Sequence, residues 1–368
     1  MKIDKATLYI LRMSLRNPFR TSFGETKDRD MLFICLESEG VKGWGECVSE
    51  SGPWYSGETT TSCIHVISEY IVPWIKKMEV NHPAELKDMC KSIKGNQMAK
   101  SCVEDAMWDL FGRLKNKTLK ELIGGSKERI PSGISIGIQP DKDALLTKIQ
   151  TAVERGYQRV KIKIEPGWDV EVVKAIRDQF PSLPLMVDAN SAYRLKDKEI
   201  FVNLDRYNLM MIEQPLQYFD IIDHASLQKE ISTPICLDES IKNVDDARVA
   251  IEIDATRIIN VKPARVGGIS ETLLIHELAK TTKIPLWCGG MLETGIGRAK
   301  NVAVASLSTF TLPNDLSESS RYYQDFIVNP IFNLNEDGTL TVPVDCPGLG
   351  VNILEEKLAP LCIKHIEI

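Results

Sequence analysis

From residue 134 onward the chain is a succession of eight short apolar runs, each followed by a stretch long enough for a helix: Ile134–Ile138, Val160–Ile164, Leu185–Asp188, Leu209–Glu213, Ile235–Asp238, Arg257–Lys262, Leu286–Gly289 and Leu312–Leu316. Strands and helices alternating in this way make a parallel sheet with crossover helices, and eight such units close into a barrel. Pro184, Pro234 and Pro285 stand immediately before three of the runs, where a proline stops the helix and starts the next strand. Asp169–Gln179 and Ser270–Thr281 carry the apolar spacing of two of the crossover helices.

The pattern upstream is different. Strand-like segments at Lys2–Met13 and Met31–Glu37 lead into a glycine-rich turn at Gly40–Gly45 and a third extended piece at Trp44–Ser49. Helical spacing follows over Ser62–Lys77, His82–Lys91 and Gln97–Leu114, and the paired glycines of Leu122–Ser126 end the run. Three parts are therefore expected: an α+β capping domain over residues 1–126, a barrel over 127–322, and a segment over 323–368 that returns to the cap.

Composition narrows the function by exclusion. The chain has 368 residues, 43% of them apolar, and 45 basic against 51 acidic side chains leave a net charge of −6. A mildly acidic chain gives no reason to expect nucleic acid. No apolar run approaches the ~18 residues that a membrane span needs, and the N-terminus carries no signal-peptide pattern. Nine scattered cysteines without a C-x-x-C pair read as buried thiols of a reducing cytosol, so a cytoplasmic protein is expected.

Chemistry is concentrated at the ends of the apolar runs. A strand buried on both faces has no use for a charge, yet five consecutive runs end in one: Lys163, Asp188, Glu213, Asp238 and Lys262, at intervals of 25, 25, 25 and 24 residues. One βα unit separates each from the next, so all five should meet at the same mouth of the barrel. Singly, each acid could be an ordinary helix cap. Three carboxylates converging on one cavity repel each other unless a cation neutralises them, and an oxygen-only donor set suits Mg2+ or Mn2+. None of the five histidines falls on the series. Lys163 and Lys262 flank the acids. An ammonium near a bound divalent cation loses its proton more readily, so a pKa near about 7–8 and the role of a base on either face of an sp3 carbon are expected. The cation would bind a small-molecule carboxylate and stabilise the enediolate that forms when its α-proton leaves.

The segments V-K-I-K (Val160–Lys163), V-D-A-N (Val187–Asn190), I-E-Q-P (Ile212–Pro215), L-D-E-S (Leu237–Ser240) and N-V-K-P (Asn260–Pro263) resemble the muconate-lactonizing subgroup of the enolase superfamily. The resemblance spans nearly the whole chain and implies a modified TIM barrel of the (β/α)7β type beneath an N-terminal α+β cap, usually assembled into homo-oligomers. K-P-A-R-V-G-G (Lys262–Gly268), G-G-M-L-E-T-G-I-G-R (Gly289–Arg298) and N-D-L-S-E-S-S-R-Y (Asn314–Tyr322) are most similar to its o-succinylbenzoate synthase and N-succinylamino acid racemase branch. That likeness implies syn dehydration of a succinyl-hydroxycyclohexadiene carboxylate, a step of menaquinone biosynthesis, or racemisation of N-succinylamino acids. It assigns catalysis to Lys163 and Lys262, and metal binding to Asp188, Glu213 and Asp238. Ser135, Lys161 and Asn190 match positions near the carboxylate and metal, and Gly290 and Met291 match the loop bordering the succinyl tail. Asn17–Gly24 and Ser49–Tyr55 resemble cap loops that close over substrate. Arg265 matches an arginine of the racemase-capable branch and should lower the pKa of Lys262; its alternative is a solvent-facing ion pair with an acid such as Glu271.

Other readings remain open at this point. Dipeptide epimerisation and muconate cycloisomerisation use the same scaffold, although no acidic D-x-D pair stands at the last strand, where Asp315 is followed by Leu316 and Ser317. A Schiff-base aldolase needs a buried lysine but no metal. A barrel kept only as a binding protein needs none of the five.

Overall fold

The computed structural model describes residues 1–21 and 24–368, with side chains described at all of these except 19–21, 24 and 25. Three antiparallel strands open the chain: β1 (Lys5–Thr21), β2 (Gly24–Ser38) and β3 (Val41–Cys47). Strands β1 and β2 are longer than the apolar runs suggest, because both continue past the core as a paired ribbon. The expected turn over Gly40–Gly45 is tighter than its glycine content implied. Only Gly40 takes a left-handed φ (+76°), whereas Gly43 and Gly45 lie within β3. Their role is close approach: a Cβ on Gly45 would stand 2.0 Å from the Cys102 carbonyl oxygen of α1 (Gln97–Lys115), the long helix packed across the sheet.

Seven parallel strands follow: β4 (Gly133–Ile136), β5 (Arg159–Lys163), β6 (Leu185–Asp188), β7 (Ile212–Glu213), β8 (Ile235–Leu237), β9 (Ile258–Val261) and β10 (Leu286–Cys288), hydrogen-bonded in chain order. The intervening helices are α2 (Lys142–Glu154), α3 (Val170–Gln179), α4 (Lys198–Asp205), α5 (Ile221–Gln228), α6 (Val244–Glu252) and α7 (Ile269–Thr282), and α8 (Gly295–Ala305) follows β10. Asp141, Asp220 and Asn243 cap α2, α5 and α6 with side-chain oxygens, as residues entering a helix from a strand-end loop should. The three prolines do stand directly before β6, β8 and β10.

The eighth run is not a strand. Residues 312–316 nevertheless complete the ring without ladder geometry: Asp315 N donates to Cys288 O at 2.9 Å on one side, and Gly133 N to Asn314 O at 2.7 Å on the other. Asn314 Oδ1 also accepts from Cys288 N at 2.8 Å, so a side chain replaces part of the missing ladder. At the floor of the barrel, Trp287, Met186, Met211, Cys236 and Ile258 pack together. The chain finishes with β11 (Cys362–Glu367), which pairs antiparallel with β1 in the cap. All nine cysteines are free thiols, seven of them buried.

Two glutamates of the cap dock it onto the barrel. Glu46 of β3 accepts Thr294 N at 2.9 Å and Gly297 N at 2.8 Å, capping α8. Glu104 of α1 accepts Ser270 N at 3.2 Å at the start of α7, where Gly268 supplies no side-chain cap. Orphan N–H groups and the positive end of the helix dipole both favour a carboxylate there.

Candidate active site

Parallel pairing aligns the charged strand ends. Lys163 is in register with Asp188, and Asp188 with Glu213. Asp238 follows β8 directly, and Lys262 follows β9 as the N-cap of the short helix Pro263–Val266. Because side chains alternate along a strand, Lys161 and Lys163 share one face of β5. The five members of the spaced series therefore lie on five adjacent strands, with the lysines on the outer two.

Asp188, Glu213 and Asp238 are each 1% exposed or less. Lys163 Nζ lies 2.5 Å from Asp188 Oδ2 and donates to Asn190 Oδ1 at 2.5 Å. Lys161 Nζ contacts Glu213 Oε2 at 3.0 Å and Asp188 Oδ2 at 3.3 Å. It also sits 5.0 Å above the Trp287 ring, which supports it from the barrel floor. Lys262 Nζ lies 2.8 Å from Asp238 Oδ2 and 3.1 Å from the Tyr55 hydroxyl. Asn260 Nδ2 holds the second oxygen of Glu213 at 2.8 Å. Gln214 Oε1 accepts Asp238 N at 3.0 Å and Ser240 N at 3.2 Å, which fixes the backbone presenting Asp238. Asn190, Ser191 and Gln214 have φ of +42°, +65° and +39°, so backbone strain gathers at this mouth.

Charge sets the protonation states. Burial alone would raise Asp188, but the ammonium groups of Lys163 and Lys161 hold it well below the usual carboxylate range. Glu213 is raised by burial and by the Asp188 charge. Burial pulls Lys262 down, yet Tyr55, Glu239 and Glu213 together push it above its ordinary value. The depression expected at this lysine is therefore not produced by the chain's own groups; it needs the neighbouring anions neutralised. Arg265 is 4% exposed and its guanidinium is bound to Asp238, with Nε donating to Ile241 O at 2.7 Å. It is not a solvent-facing partner of Glu271, which pairs with Lys87 at 2.9 Å instead.

Seven of the residues singled out in the sequence line one cavity: Ser135, Lys161, Lys163, Asn190, Lys262, Gly290 and Met291. The three carboxylates lie beneath the ammonium groups, and Arg265 sits behind Asp238 facing a neighbouring cleft. Tyr55 brings the Ser49–Tyr55 loop into the cavity, whereas Trp54 is 66% exposed. The other expected lid, Asn17–Gly24, falls mostly outside the residues whose side chains are described.

Several cavity residues escaped the sequence reading. Asp315 accepts from Ser135 Oγ at 2.8 Å and contacts Lys161 Nζ at 3.0 Å. Burial would raise its carboxyl, but Lys161 and Arg159 hold it down at about 2. Its position at the end of the eighth apolar run was the available signal. Tyr322 and Leu292 complete the wall, and Glu239, on the neighbouring cleft, accepts from Asn190 Nδ2 at 2.8 Å; no spacing rule marks these.

The donor set suits a hard divalent cation: three buried carboxylates, with Glu239 Oε2 and Asn260 Oδ1 buried nearby and, among the described residues, without a hydrogen-bond partner. Among the described residues no three His, Cys, Asp or Glu side chains converge on a point; each of the three acids contacts a lysine ammonium.

The sequence matches the family Enolase C-terminal domain-like over residues 144–357, and the family Mandelate racemase / muconate lactonizing enzyme, N-terminal domain over residues 5–124. It is 49% identical to an o-succinylbenzoate synthase of Bacillus subtilis, over 97% of this chain and 95% of that protein. It is 43% identical to an N-succinylamino acid racemase of Thermus thermophilus, over 96% and 95%. A solved enolase-superfamily structure from Listeria innocua superposes with a TM-score of 0.96 at 43% identity, covering 100% of this chain and 99% of the other.

Proposed function

The chain belongs to the enolase superfamily, and from that premise we propose that it catalyses the o-succinylbenzoate synthase dehydration and also racemises N-succinylamino acids. The observation that carries this reading is the presence of two lysine amines on one cavity, on either flank of a row of three buried acids. A divalent cation held by Asp188, Glu213 and Asp238, Mg2+ in our reading, would supply the positive charge that binds the substrate carboxylate and stabilises its enediolate.

Lys163 is the base that takes the α-proton. Asp188 and Asn190 hold its Nζ, which fixes where the amine meets the substrate. In dehydration the same amine returns a proton to the departing hydroxyl, so that water leaves from the face that lost the proton. Lys262, on the other flank, stabilises the developing negative charge through its ammonium; in racemisation it exchanges a proton on the opposite face. Arg265 and Tyr55 hold Asp238, the carboxylate that pairs with Lys262. A cytoplasmic homo-oligomer acting on small carboxylates belongs to the same reading.

The test is proton NMR in D2O with Mg2+, offering N-succinylamino acids and the cyclohexadiene substrate separately. Lys163→Ala and Lys262→Ala should each lower racemisation by at least ~100-fold, the scale of a positioned general base. Chelation with EDTA should abolish both activities. Free racemisation by Lys262→Ala would refute the two-base assignment, and EDTA-insensitive turnover would refute the metal reading.

A further inference from the structure

Arg29 lies in β2 of the cap, carries no spacing signal, and is 6% exposed. Its guanidinium reaches in two directions. One terminal nitrogen donates to Met291 O at 2.6 Å and, more loosely, to Leu292 O at 3.4 Å in the loop after β10. The other donates to Val48 O at 2.8 Å and Ser49 O at 3.5 Å, where the chain leaves β3. Among the described residues it forms no ion pair with a carboxylate. Met291 and Leu292 themselves line the catalytic cavity, and Ser49 begins the loop that brings Glu50 and Tyr55 there. Leu292 holds a left-handed φ of +59°, a conformation costly for a leucine, and Tyr323 OH donates to the same carbonyl at 2.8 Å. One rigid fork therefore ties a wall supplied by the cap to a wall supplied by the barrel.

We propose that Arg29 is a positioning residue that sets the spacing between these two walls and thereby the fit of the part of the substrate remote from the reacting carbon. The proposal rests on the catalytic reading of the cavity given above. The strand-end lysines and acids engage the carboxylate end, so the cap-facing walls meet the acyl tail. A planar guanidinium can hold two carbonyl groups on opposite sides at once; an ammonium on a flexible stem cannot hold both at the same separation.

The experiment compares Arg29→Lys and Arg29→Met with the parent full-length, Mg2+-loaded protein, measuring racemisation of an N-succinyl and an N-acetyl form of the same amino acid. The tail-bearing substrate should show KM raised about tenfold or more with kcat changed less than about threefold, and the N-acetyl substrate should change by less than about twofold in either parameter. The pH profile should not move, because Arg29 contacts neither catalytic lysine. Full recovery in Arg29→Lys, or equal losses on both substrates, would overturn the proposal. If Arg29→Met does not accumulate folded, Tyr323→Phe removes the second donor to Leu292, together with a 3.8 Å contact to Met31 Sδ, and carries the same test: a selective rise in KM for the succinyl substrate supports it, and an unchanged KM overturns it. Failure of the parent to act on either substrate would instead count against the catalytic reading.

Discussion

The Asp105–Lys300 pair offers a sharp test of how the cap is held to the barrel. Asp105 belongs to α1 and Lys300 to α8; they meet at 2.6 Å with side chains 3% and 1% exposed. Among the described residues, Asp105 Oδ1 has no hydrogen-bond partner, and besides Lys300, Oδ2 accepts only from Ser101 Oγ at 3.4 Å. Lys300→Met would leave a buried carboxylate with almost nothing to offset its desolvation, at a cost of about 3–5 kcal/mol. With an unfolding entropy of roughly 2.1 cal/mol/K per residue over 368 residues, that is a fall in Tm of about 4–6 °C at pH 7. Burial already pushes the Asp105 carboxyl up to about 6 even with Lys300 opposing, so without Lys300 it titrates higher still. At pH 5 the acid is then protonated and the loss should shrink. Differential scanning calorimetry at pH 5 and pH 7 reads both effects. The double variant Asp105→Leu/Lys300→Met, which removes both charges, should regain most of the loss. An equal fall in Tm at the two pH values, together with a double variant no better than the single one, would show that an unpaired Asp105 carboxylate is not the source of the loss.

Two further predictions concern α1 of the cap, one where it meets the barrel and one where it crosses β3. Burial raises Glu104 to about 7, so the folded protein binds this proton more tightly than the unfolded chain; the associated stability is fully present below about pH 4.5 and is lost as the pH rises through 7, amounting to about 3 kcal/mol. Urea unfolding at pH 5 and pH 8 should show that difference, and Glu104→Gln should flatten it; an unchanged slope would exclude Glu104 as its source. Gly45→Ala would press a Cβ to within 2.0 Å of the Cys102 carbonyl and should cost about 1–3 kcal/mol by calorimetry, whereas Gly57→Ala, with open space around it, should be nearly silent.

Much of the architecture was legible because barrel strands announce themselves. A buried parallel strand must be apolar along its length, so a charge at its end stands out and the repeat of about 25 residues can be counted. Lys163, Asp188, Glu213, Asp238 and Lys262 were found by that arithmetic alone. The failures have the opposite cause. Residues 312–316 are apolar enough to read as a strand, but the ring closes there through single hydrogen bonds and the Asn314 side chain, which no periodicity encodes. Gly43 and Gly45 read as a turn because glycine permits one; their actual use depends on how closely α1 crosses β3.

Local pattern thus determined which residues end each strand, because an apolar run and the charge that closes it lie within a few residues of each other in sequence. What each of those residues faces is set instead by packing across the whole fold. Lys262 is held up by Tyr55 and Glu239 rather than depressed, Arg265 is bound to Asp238 rather than to Glu271, and Asp315 is tied to Lys161. Electrostatic energies depend on separation and burial in space, and side chains more than 200 positions apart in the chain, such as Tyr55 and Lys262, become neighbours only once the cap has closed on the barrel.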